Sequence, residues 1–112
     1  MSILAINVAP DLTRELNSSS IRHRIARNVQ QALSYLEKED FQLIIDDIRQ
    51  LPDATDDLGQ LLAATPPGTI ICALASNLWL PESEYWRSQG IKLVFGDAID
   101  MLPKLLGSEV AM

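Results

Sequence analysis

The chain has 112 residues, enough to bury one core and too few for two, so a second catalytic or DNA-binding domain within it is excluded. Apolar residues make up 47%, charged residues 21%, and mean hydropathy is +0.08, a globular balance and not a disordered one. Nine Lys and Arg against fifteen Asp and Glu leave a net charge of −6, which repels phosphate backbones and argues against nucleic-acid binding.

The first apolar run, 3–8, has no basic leader and breaks at Asn7 and Pro10, far short of a signal sequence or membrane span. It reads as a strand, and no membrane partner is expected. Leu12 and Leu16 then fall at helical spacing. The segment 20–39 has two readings. Ile21, Ile25, Val29, Leu33 and Leu36 lie on one face of a single long helix with Ser20 as cap. Alternatively, 21–26 is a short strand and a helix starts near Asn28. Arg22 and Arg24 suit a sheet edge, where basic side chains reach water and block further pairing. The strand-plus-helix reading is favoured because it completes a five-strand pattern.

The runs 41–45 and 69–75 are nearly continuous in apolar character, as expected for strands covered on both faces in a parallel sheet. Leu58, Leu61 and Leu62 mark a helix between them, whose start is favoured by Asp53, Asp56 and Asp57 at the positive dipole end. Thr65-Pro66-Pro67-Gly68 ends that helix, and Leu80-Pro81-Glu82 opens the next. After Gly90 comes a last strand, 91–95, then Met101, Leu102, Leu105 and Leu106 at helical spacing with Asp100 as cap. Strand and helix alternate throughout, which predicts one doubly wound α/β domain over 1–112.

The single cysteine, Cys72, cannot form an internal disulfide, and no His and Cys cluster has zinc spacing. A reducing, cytoplasmic setting is expected, with Cys72 buried and inert. His23 has no Ser, Cys or second His nearby in sequence and reads as an edge-strand side chain.

In this order and spacing the chain resembles the receiver domain of two-component response regulators along nearly its whole length. Ile3-Leu4-Ala5-Ile6-Asn7-Val8-Ala9-Pro10 is similar to the family's first strand and loop, and Ala26-Arg27-Asn28-Val29-Gln30-Gln31-Ala32-Leu33-Ser34-Tyr35-Leu36 to its second helix. Phe41-Gln42-Leu43-Ile44-Ile45-Asp46-Asp47-Ile48-Arg49 resembles the strand that ends in the phosphoacceptor aspartate, with Asp47 at the matching position, and Gly90 matches the glycine before the fifth strand. The resemblance implies a flavodoxin-like (βα)5 fold, a five-stranded parallel sheet in the order 2-1-3-4-5, and a role in signal transduction.

Phosphoryl transfer in that family needs a carboxylate nucleophile, Mg²⁺ held by further carboxylates, and a lysine and a hydroxyl to stabilise the added charge. By the same correspondence, the metal-holding acids fall on Asn7 and Val8, the hydroxyl on Leu74, the lysine on Asp97 with Ala98 following, and the reporter aromatic on Val94. The resemblance is therefore to a degenerate member, a pseudo-receiver, with no cofactor, nothing catalytic and Asp47 inactive. Mg²⁺ enters only on the alternative that Asp47 accepts phosphoryl groups in a single-domain response regulator. A small α/β enzyme or ligand carrier is a third reading, disfavoured because no nucleophile, base and oxyanion set assembles. Otherwise Asp46-Asp47 is a solvated strand end whose two side chains point to opposite faces. Trp79, Tyr85 and Trp86 cluster around the fourth helix. They serve either as core caps or, with Val94, as a surface of the fourth helix and fifth strand for a protein partner or a second copy.

Overall fold

The computed structural model describes residues 2–8, 10–18, 21–48, 55–75 and 80–95. Their order is β1 (Ser2–Ile6), α1 (Pro10–Ser18), β2 (Arg22–Ala26), α2 (Val29–Lys38), β3 (Leu43–Asp47), α3 (Thr55–Ala64), β4 (Ile70–Ala75), α4 (Leu80–Ser88) and β5 (Ile91–Phe95). The strands form one all-parallel sheet in the order β2-β1-β3-β4-β5. This is the flavodoxin-like α/β arrangement expected from the sequence. The expected helix beyond Asp100 lies outside the described residues, as do Ser20, Asp53, Trp79 and Asp97.

Burial follows the alternation of side chains along each strand. On one face Leu4, Ile6, Ile44, Ile71 and Ala73 pack with Val29 and Ala32 of α2, Leu58 and Leu61 of α3 and Trp86 of α4. On the other, Ile3, Ala5, Ile45, Cys72 and Leu74 pack with Leu16 of α1. The central strands β1, β3 and β4 are thus covered on both sides, which is why their sequences read as unbroken apolar runs.

The strand-plus-helix reading of 20–39 holds, and the local cause is at Asn28. Its backbone is extended and its side chain accepts the Gln31 N–H at 2.9 Å, so the helix begins there. The Gln31 side chain reaches back to accept the Arg27 N–H at 2.7 Å, close to the reciprocal arrangement of a capping box. Edge strand β2 exposes Arg22 and Arg24, and Arg24 Nε donates to Glu39 Oε2 at 2.9 Å.

Two strand boundaries differ from expectation. β1 ends at Ile6 because Asn7 turns into the left-handed region (φ 57°), which Asn tolerates better than most residues. β3 begins at Leu43, two residues later than the apolar run, and Phe41 is buried in the core from the preceding loop. Gly90, at φ 93°, ends α4 by donating its N–H to the Arg87 carbonyl at 3.0 Å, and the chain then enters β5.

Candidate functional site

Doubly wound sheets bind ligands beyond the carboxyl ends of their strands, and Asp47 stands there as the last residue of β3. It is in register with Leu74 of β4, which is in register with Val94 of β5. In-register neighbours share a face, so Asp47, Leu74 and Val94 form one row across three strands. Leu74 is fully buried, and Val94 and Val8 pack half-buried against the same apolar cluster. Asn7, at the end of β1, donates its backbone N–H to the Ala26 carbonyl at 3.1 Å, a contact that joins the loop to β2.

The row has a direct chemical consequence. A carboxylate that accepts a phosphoryl group needs cations or donors around the incoming oxygens. Leucine and valine side chains supply neither, and valine has no oxygen for a hard cation. Among the described residues, no group of three or more His, Cys, Asp or Glu is arranged to hold a metal ion.

The aspartate pair is not a solvated strand end. Asp46 is 0% exposed and Asp47 4%, because β1 and β4 flank β3 and apolar clusters cover both faces of the sheet. The two do point to opposite faces. Asp46 lies in a row with Ile6 and Ala73, and neither of its carboxyl oxygens has a hydrogen-bond partner. Burial, followed by repulsion from Asp57 and then from Asp47, pushes its carboxyl up to about 7. Sequence reasoning passed over Asp46 in favour of its neighbour. The apolar runs of β1, β3 and β4 mark a strand covered on both faces, but they do not single out Asp46 as the acid left without a partner.

The aromatic cluster divides. Trp86 is 3% exposed and belongs to the core, whereas Tyr85 is 58% exposed with its ring edge-on to Trp86 at a centroid distance of 4.8 Å. Trp86 therefore acts as a core side chain, and Tyr85 is the exposed large apolar group among the described residues. Cys72 is buried and its thiol is pushed up to about 11 by that burial, with Lys92 opposing the shift. His23 lies on the edge strand, its Nδ1 2.8 Å from the Ile21 carbonyl and its Nε2 3.0 Å from the Asn17 side chain. None of the described helices is long and apolar enough to cross a membrane.

No family model matches the chain, and neither a curated protein nor a solved structure is significantly similar to it.

Proposed function

We propose that the chain is a receiver-like regulatory module, a pseudo-receiver that acts in signal transduction through contact with a protein partner or a second copy and without phosphorylation. The observation that carries this reading is the row Asp47, Leu74 and Val94. Asp47 ends β3, where the resembled receivers carry their phosphoacceptor, while Leu74 and Val94 in line with it supply no stabilising group for phosphoryl charge. The module then needs no cofactor and performs no catalysis. Tyr85 on α4, beside edge strand β5, is the natural contact residue, since exposed aromatics supply a disproportionate share of interface energy.

The test is titration with beryllofluoride and Mg²⁺, a mimic of the phosphorylated aspartate, followed by NMR. No saturable change is expected. Saturable binding that disappears in Asp47→Asn would instead establish the phosphoaccepting response regulator. A pull-down from the native host with wild type beside Tyr85→Ala tests the surface. Equal recovery of partners by the two proteins would remove Tyr85 from the interface.

A further inference from the structure

The reading above gives Asp46 no role, yet it is the most costly side chain in the core. Its carboxyl is wholly inaccessible and neither oxygen is hydrogen-bonded. Its in-register neighbours, Ile6 on β1 and Ala73 on β4, are apolar. This face is covered by α2, α3 and α4, which bring Val29, Ala32, Leu58, Leu61 and Trp86 to it. The first turn of α3 brings a second acid, Asp57, whose charge acts on Asp46.

We propose that Asp46 is a proton-operated latch on α3: while it carries a proton the helix closes over the end of β3, and when the proton is lost the first turn of α3 is driven off the sheet.

The physics is a comparison of two buried states. A neutral carboxyl without partners costs a few hydrogen bonds' worth of desolvation, whereas a bare carboxylate in the same place costs far more. Among the described residues, the charged side chains of α2 (Glu37, Lys38) and α4 (Glu84, Arg87) are exposed, and Asp46 has no partner among them. Asp57 from α3 and Asp47 from the opposite face of β3 both add repulsion. Asp56, beside Asp57 on α3, is exposed, as is Arg27, the basic residue that follows β2. Moving α3 lets water reach Asp46 and separates it from Asp57. The strands cannot answer in the same way, because β3 is hydrogen-bonded to β1 on one side and β4 on the other. The helices on this face are all short and held by packing, and α3 is the one whose first turn brings a like charge to Asp46, so its displacement relieves burial and repulsion together.

The sign follows from linkage. The Asp46 carboxyl is raised from the ordinary 3.8 to about 7, so the closed form is fully favoured below about pH 4 and weakens as pH rises towards 7. The interval of about three units sets an upper limit of about a thousandfold on the change in the equilibrium between closed and opened forms, since the Asp47 repulsion persists in both.

Amide hydrogen exchange, corrected for the intrinsic effect of pH, tests the latch when combined with carboxyl ¹³C titration. At pH 5 the amides of α3 should be as protected in wild type as in Asp46→Asn. At pH 8 wild-type α3 should be at least tenfold less protected than α2, and Asp46→Asn should restore it. Should Asp46→Asn fail to fold, Asp57→Asn provides the second arm, and the pH at which α3 loses protection should then fall no lower than in wild type. Equal protection of α2 and α3 at pH 8 would overturn the latch, as would an Asp46 midpoint below 5. A loss of α3 protection that persists in Asp46→Asn would overturn it too.

Discussion

Replacing Trp86 by alanine separates core from surface on α4. The indole is 3% exposed and shares a cluster with Ile71, Ala73 and Ile91, so truncation removes a buried aromatic from a site bounded by strands that cannot collapse inward. Such changes cost about 3 to 5 kcal/mol, a large part of the roughly 5 to 15 kcal/mol that stabilises a domain of this kind. At about 4 °C per kcal/mol for this size, the melting temperature should fall by about 12 to 20 °C. Tyr85→Ala is the matched control. Its ring is 58% exposed and loses chiefly the edge contact with Trp86 at 4.8 Å, which is worth about 0.5 to 1.5 kcal/mol. Thermal and urea melts followed by far-UV circular dichroism give both values. If Trp86→Ala melts within 3 °C of wild type, or Tyr85→Ala loses as much as Trp86→Ala, the assignment of the two rings is wrong.

Two further outcomes test the frame around the site. Asn28→Ala removes the oxygen that accepts the Gln31 N–H at the start of α2 and should cost about 1 kcal/mol by urea denaturation, with Asn28→Asp close to wild type; identical midpoints for all three proteins would show that the cap contributes nothing. Cys72, buried and with its thiol raised to about 11, should react with a thiol reagent at pH 8 at least about a hundredfold more slowly in the folded protein than in urea. Rates within threefold of each other would contradict its burial.

Much of the fold was legible because each layer of a parallel sheet leaves a local trace. Strands covered on both faces must be apolar at consecutive positions, and 3–6, 43–45 and 70–75 are. Asn28 announces the start of α2 by a side chain that competes with helix until it can cap one. Gly90 announces the turn into β5 by a backbone conformation that side chains resist. Phe41 misled, since an aromatic beside an apolar run carries the same sequence signal whether it extends the strand or packs from the loop before it.

The site divides along the same line. That Asp47 ends a strand, and that Leu74 and Val94 stand near the ends of theirs, could be read from order and spacing, because a strand end is a local property of the chain. Which atoms face each other could not. The row formed by Asp47, Leu74 and Val94 depends on register between strands that are distant in sequence, and one residue of slip would have turned each side chain to the other face. Tyr85 and Trp86 are chemically similar neighbours on a helix with few apolar residues, so periodicity alone could not say which would turn inward; packing against the sheet decided it. Asp46 is the furthest case. Nothing in its own neighbourhood of sequence distinguishes it from Asp47, and its burial without a partner arises only when β1, β4 and the first turn of α3 close around β3, since desolvation depends on everything that excludes water from a group and not on the residues next to it in the chain.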